Sequence, residues 1–230
     1  MPSPRHAKDG LFLAYRSNRT LTEQTVQKQH NDRVRDRLLR AASERFNRRG
    51  YAATTVREIV ETAGVTKPVL YYYFGSKEGL YLALLEEAHQ AFQSRVEAAR
   101  KSSGTTRQKI LKLAEELFQL FQMNLEVVRL VLAVSYGPPQ GAPPFPFDAF
   151  HQTLQGTLER LVQEGIRSGE FRSGKPSAMA TALHGALGAC MESALMHGEA
   201  GWNARRIREV LNLVFDGIAR SGGHSRESKA

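Results

Sequence analysis

Residues 54–74, TTVREIVETAGVTKPVLYYYF, carry two runs of helical periodicity with a glycine between them. Thr55-Val56-Arg57-Glu58 has the T-x-x-E form of a capping box, in which threonine hydroxyl and glutamate carboxylate satisfy free N–H groups at the start of a helix. Val56, Ile59, Val60 and Ala63 then share one face. Gly64 ends that helix, Thr66 is placed to cap the next, and Pro68 is tolerated in its first turn. Two short helices joined by a tight turn containing glycine pack at a steep angle, here around Val56, Ile59, Val60, Val65 and Leu70. A hairpin within a plain helical bundle shares this layout. It does not account for Tyr71, Tyr72 and Tyr73, because one helix face cannot bury three consecutive rings. Exposed tyrosine hydroxyls donate well to phosphate. The N-terminal residues of the second helix are free to enter a major groove.

The flanking sequence extends the helical pattern. Val34, Leu38, Ala41, Ala42, Arg45 and Phe46 follow helical spacing from about Asp32, and Gly50 is the expected C-cap. Ser76 is placed to cap a longer helix reaching about Arg100. Beyond Gly104 come an amphipathic segment with Ile110, Leu113, Leu117, Leu120 and Phe121, and then LEVVRLVLAVSY, which is apolar all round and so expected to be buried. Residues 137–147, GPPQGAPPFPF, hold five prolines and cannot be helical. Further helices are expected over about 148–168, 177–197 and 204–220. The whole reads as all-α with about nine helices and no strand. The expected domains are a flexible basic arm (1–31), a three-helix DNA-binding unit (32–80), a second helical unit (81–222) and a disordered tail (223–230).

Charge supports this division. Residues 1–80 contain 15 Lys and Arg against 8 Asp and Glu, whereas residues 81–230 contain 17 against 15. A basic first third followed by a near-neutral remainder suits a polyanion-binding module joined to something else, and equally a basic arm for membranes or RNA, so charge alone decides little.

The run RLLRAASERFNRRGYAATTVREIVETAGVTKPVLYYYFGSKEGLYLALL resembles the TetR family of regulators. The resemblance rests on A-x-x-x-F followed by Gly50-Tyr51, on Thr54-Thr55, Ile59 and Ala63-Gly64-Val65, and on Leu70-Tyr71-Tyr72-Tyr73-Phe74 leading to Ser76-Lys77-Glu78 and Leu80. It covers about residues 34–85, and Tyr73 stands where the family commonly has histidine. It implies a sequence-specific DNA-binding transcriptional regulator, usually a repressor, that reads a palindromic operator in double-stranded DNA as a homodimer. Activation, or binding without a ligand, is the alternative on the same fold. By resemblance Thr55 contacts a phosphate, Thr66, Lys67 and Pro68 open the recognition helix, and Lys77 grips the backbone. Lys67 suits a guanine edge or a phosphate, Pro68 and Val69 thymine methyls, Tyr71 and Tyr72 phosphates or bases, and Tyr73 either faces DNA or is half-buried. Arg33, Arg35 and Arg37 are either flanking contacts or a solvated face.

A single reading head spans few base pairs, so such proteins dimerise on half-sites about one DNA turn apart. The segment 177–197 is rich in small residues that let two helices approach closely, and 204–220 has Ile207, Val210, Leu211, Val214 and Ile218 on one face. By resemblance these last two helices pair with those of a second copy. The resemblance also implies a pocket for a small, mostly apolar effector, with Phe118, Phe121, Met123, Tyr136, Phe147, Phe150, His184 and Met191 as candidates. Aromatic and methionine side chains at helical spacing are more often core than ligand cage.

Other function classes find little support. Gly169 to Lys175 matches G-x-x-x-x-G-K, but Pro176 stands where a phosphate loop needs Ser or Thr, and a helix precedes it rather than a strand. No catalytic residue, metal site or cofactor is expected, and the reading is not an enzyme. The lone Cys190 excludes an intrachain disulfide and fits a reducing compartment. No secretory signal is visible and no run suffices to span a bilayer, so the expected location is the cytoplasm, with no membrane partner.

Overall fold

The computed structural model describes the backbone of residues 6–137, 141–197 and 201–218, and the side chains within them except those of residues 6–28, 30 and 218. The regular elements among them are all helices: α1 (His6–Ala53), α2 (Val56–Ala63), α3 (Lys67–Phe74), α4 (Lys77–Lys101), α5 (Thr106–Met123), α6 (Leu125–Tyr136), α7 (Asp148–Arg167), α8 (Pro176–His197) and α9 (Ala204–Ile218). The fold is all-α, as the periodicity requires. Two compact units divide between Tyr81 and Leu82, inside α4. The tail from 223 onward, expected to be disordered, lies outside the described residues.

In the first unit, Val34, Leu38, Leu39, Ala41, Ala42 and Phe46 of α1 are buried with Ile59, Val60 and Ala63 of α2 and Leu70 of α3. Val56 and Val65, expected in that interior, are only half-buried. Phe46, Tyr51 and Tyr81 meet as a triangle of rings with centroids 5.0–5.7 Å apart. Burial pushes the Tyr81 phenol up to about 12, and its hydroxyl has no hydrogen-bond partner. α1 departs from expectation at its start: residues 6–31, read as a flexible arm, are helical backbone. No proline lies between Pro4 and Pro68, and Gly10 is the only glycine before Gly50, so nothing in the chain interrupts the helix. Gly50 then kinks it at φ 74°, ψ 164°, a conformation nearly closed to other residues.

The second unit is built on α5, whose buried residues Ile110, Leu113, Ala114, Leu117, Phe118 and Phe121 meet Leu154, Leu158, Leu161 and Val162 of α7, Leu183 and Leu187 of α8, and Ile207, Leu211 and Phe215 of α9. The first turn of α5 is capped twice. Thr105 and Gln108 form a capping box, and the Glu170 carboxylate accepts from the backbone N–H groups of Thr106 (2.8 Å) and Arg107 (2.9 Å). The next residue, Phe171, is buried and stacks on Phe215 at 5.8 Å. The segment 169–175 is therefore an interhelical turn whose acidic residue occupies a helix N-terminus and whose aromatic residue anchors the core.

α6 corrects another expectation. Of LEVVRLVLAVSY only Leu130 is buried, while Leu132 and Tyr136 are exposed. The axes of α5 and α6 are bent by 92°; Leu125 and Val128 still pack against the core, while Val127, Val131 and Val134 are only half-buried. α8 behaves oppositely. Met179, Ala180, Leu183, Leu187, Cys190 and Ala194 face inward, and Ala178, Ala182, Gly185 and Ala189 line the exposed side.

Candidate nucleic-acid interface

Local chemistry sets the geometry of α2 and α3. Thr55 takes the extended N-cap conformation, its hydroxyl accepts from the Glu58 N–H (3.3 Å), and the Glu58 carboxylate accepts from the Thr55 N–H (2.8 Å) and hydroxyl (2.8 Å). These bonds from Thr55, with an added contribution from Arg49, hold the Glu58 carboxyl below its ordinary range. Arg49 and Glu58 also form an ion pair that ties the end of α1 to the start of α2. Arg45 Nε donates to Thr62 Oγ1 at 2.7 Å, linking the two helices a turn further along. At the other end of α2, Gly64 is left-handed (φ 63°, ψ 41°), and its N–H returns to the carbonyls of Glu61 and Val60.

α3 leaves this turn with one buried anchor, Leu70. Thr66, Lys67 and Pro68 at its N-terminus are exposed, Val69 and Tyr73 are half-buried, and Tyr71 and Tyr72 are 49% and 79% exposed. Thr66 holds the N-cap backbone conformation, but its side chain makes no capping bond. Tyr73 meets the edge of Tyr72 at 5.1 Å. The outcome is a short ridge carrying a hydroxyl, an ammonium, a proline ring and two phenols, fixed from beneath by Ile59, Val60, Ala63 and Leu70.

Lys77 is placed otherwise than a phosphate-gripping arm. Its ammonium donates to the carbonyls of Tyr51 and Thr54 at 2.9 Å each and lies 4.3 Å over the Tyr51 ring. It therefore adds a bond to the Tyr51 carbonyl, which already accepts from the Thr54 N–H, and supplies one to the Thr54 carbonyl; desolvation lowers its pKa. Ser76 Oγ accepts from the Gly79 N–H at 2.9 Å, which is the expected cap of α4. Arg33 and Arg37 are exposed, while Arg35 lies 5.5 Å over the Phe74 ring.

Residues 38–84 match the sequence model of the bacterial regulatory proteins, tetR family. Over that segment the chain is of the TetR family. It is 39% identical over 105 residues to the HTH-type transcriptional activator FasR of Mycolicibacterium smegmatis, a match spanning 46% of this chain and 48% of that protein. It is 27% identical over 197 residues to the HTH-type transcriptional regulator YdgC of Bacillus subtilis, across 84% of this chain and 96% of that one. The solved structure of FadR from Bacillus subtilis in complex with stearoyl-CoA shares the fold, with a TM-score of 0.60 at 22% identity over 79% of this chain and 98% of FadR. The chain thus carries the helix-turn-helix of TetR-family transcriptional regulators. No single helix among its described residues is long and apolar enough to cross a membrane.

The eight effector-pocket candidates do not converge. Phe118 and Phe121 are buried and stack at 5.8 Å, and Met123 and Tyr136 are 77% and 74% exposed. His184 stacks on His151 at 5.4 Å, with its Nδ1 3.1 Å from Gln155 Oε1; burial, and then the nearby His151, lower its pKa. Phe150 lies 4.7 Å from His89, Phe147 lies 5.1 Å from Phe145, and Met191 is half-buried at the edge of the core. A cavity of about 10 Å³ lies elsewhere, lined by Ile110, Leu113, Ala114, Leu154, Leu158, Leu183, Leu187 and Leu211. That is room for about one water-sized molecule. His89, Phe92 and Phe145 were absent from the sequence-based candidates; the proline-rich loop beside them was the available signal.

Proposed function

We propose that this regulator binds a palindromic operator as a homodimer, with the exposed ridge of α3 in the major groove. The observation that carries the reading is the ridge itself: Thr66, Lys67, Pro68, Tyr71 and Tyr72 lie exposed side by side on a helix too short to be held by anything but its buried underside. Lys67 reads a base edge, and Thr55 and the tyrosines bond phosphates. Selection of bound sequences from a random DNA pool tests this. An inverted repeat should be enriched; a pool without any enriched motif would overturn it.

Dimerisation is supported by the exposed stripe of Ala178, Ala182, Gly185 and Ala189 on α8, where a Cβ added to Gly185 would meet open space. Leu213 on α9 is also exposed. Such faces suit a second copy, which the mass in solution measures. The regulator works in the cytoplasm and is released from DNA by a small, mostly apolar effector that prefers a conformation misplacing the two reading heads. Likeness over 105 residues to an activator makes transcription in vitro, with and without the protein, the measurement that fixes the sign of regulation.

A further inference from the structure

We propose that His89 and the phenylalanines around it are the effector contact site, and that the effector carries an apolar body and one oxygen-bearing head that bonds His89 Nε2. The inference rests on the effector-release reading above and gives it an address.

Nε2 of His89 is buried without a hydrogen-bond partner. A ring nitrogen shut away from water and left unpaired destabilises a fold, so its presence calls for a function. The surroundings are aromatic. Phe150 lies 4.7 Å away, Phe145 meets the imidazole edge-on at 6.3 Å, and Phe92 packs on Phe150 at 5.2 Å. These rings differ from those of the core. Phe46, Phe118 and Phe215 are buried, whereas Phe92, Phe145, Phe147 and Phe150 are each half-buried and so reachable from outside.

The way the segments meet also favours a ligand. His89 and Phe92 lie on α4 and Phe150 in the first turn of α7, and these two helices meet through rings rather than through closely packed backbones. Phe145 and Phe147 belong to the non-helical stretch before α7, where three of the five residues 143–147 are proline and offer no N–H to an imidazole. The backbone N–H of Phe147 is already given to the Phe145 carbonyl at 2.8 Å. The local chain therefore has little with which to pair Nε2. Four reachable rings and one unpaired nitrogen match a molecule with an apolar body and one polar atom. Placing the polar atom against Nε2 satisfies both partners, and the chain of the ligand replaces contacts among the rings.

The test uses the full chain and two probes that share an alkyl body, 1-decanol and decanoate. Binding is followed by thermal shift, and affinity for a selected operator by titration. Replacing His89→Phe removes the unpaired nitrogen and keeps a ring. The unliganded variant should melt about 2–4 °C higher and bind the selected operator as the wild type does. Its affinity for the probe that the wild type binds should fall about tenfold. His89→Gln, which keeps a hydrogen-bonding group, should lose less. A lower melting point with unchanged probe affinity would make His89 an ordinary packing residue and overturn the proposal. Failure of both probes to bind the wild type at millimolar concentration would overturn the ligand class. Probe binding that depends on His89 yet leaves operator affinity untouched would uphold the site and remove the effector-release reading instead.

Discussion

The ammonium of Lys77 lies 4.3 Å over the ring of Tyr51 and donates to the same residue's carbonyl at 2.9 Å. With its second bond, to the Thr54 carbonyl, it locks the start of α4 to the end of α1. Lys77→Ala should lower stability by about 1.5–3 kcal/mol, the range for hydrogen bonds to a charged group. The salt dependence of DNA binding should keep its slope, because a lysine spent inside the fold releases no counterion from DNA. Urea unfolding and binding at several salt concentrations check both; a slope reduced by about one would return Lys77 to the phosphate backbone.

Lys67 and Tyr72 should fail in different ways. Lys67→Ala should reduce discrimination between operator and random DNA by about 1–3 kcal/mol. Tyr72→Phe should weaken both by about the same amount, roughly 0.5–1.5 kcal/mol for one hydrogen bond. Competition binding separates the two outcomes, and equal losses on operator and random DNA for Lys67→Ala would end its base-reading role.

The capping box makes the reading head sensitive to acid. Glu58 titrates below its ordinary value of 4.5 because the folded chain bonds its carboxylate through Thr55. A lowered folded pKa contributes stability that is complete above the unfolded value and lost as pH falls through the folded one. The stability of Glu58→Gln should therefore fall less than that of the wild type as the pH drops below about 4.5, as denaturant melts across that range would record. Thr55→Ala should cost about 1 kcal/mol near neutral pH.

Gly165 and Phe171 leave no room for a methyl group. A Cβ on Gly165 would lie 2.3 Å from the Phe171 ring, which cannot easily yield because it stacks on Phe215. The Phe171 N–H also bonds the Gly165 carbonyl at 3.0 Å. Gly165→Ala should cost about 1–3 kcal/mol, visible as a lower melting point with helix content retained.

The helix-turn-helix was legible because its signals are local: a T-x-x-E box, a left-handed glycine and a cap at Ser76 each act within a few residues. The inward turn of Lys77 was not, because the carbonyls that capture it lie 26 and 23 residues earlier, just after the kink at Gly50. The exposure of α6 was missed for a related reason. Apolar composition records what a helix can bury, and only the bend after α5 decides what reaches it. His89 gave no periodic signal, since its character comes from rings three to sixty-one positions away. The helical stretch before residue 31 lacks an apolar stripe, and a helix set by propensity alone leaves no pattern to read.

The cap that Glu170 places on α5 also orders events in time. Its partners Thr106 and Arg107 leave the ribosome 64 and 63 residues earlier, about 3–13 s at ordinary rates of synthesis. The buried residues of the reading head named above all lie between 34 and 81 and can gather as soon as that stretch is free. A nascent chain can therefore gather its helix-turn-helix head first, while the helix on which the C-terminal core is built still lacks its second cap and the partners that follow Glu170.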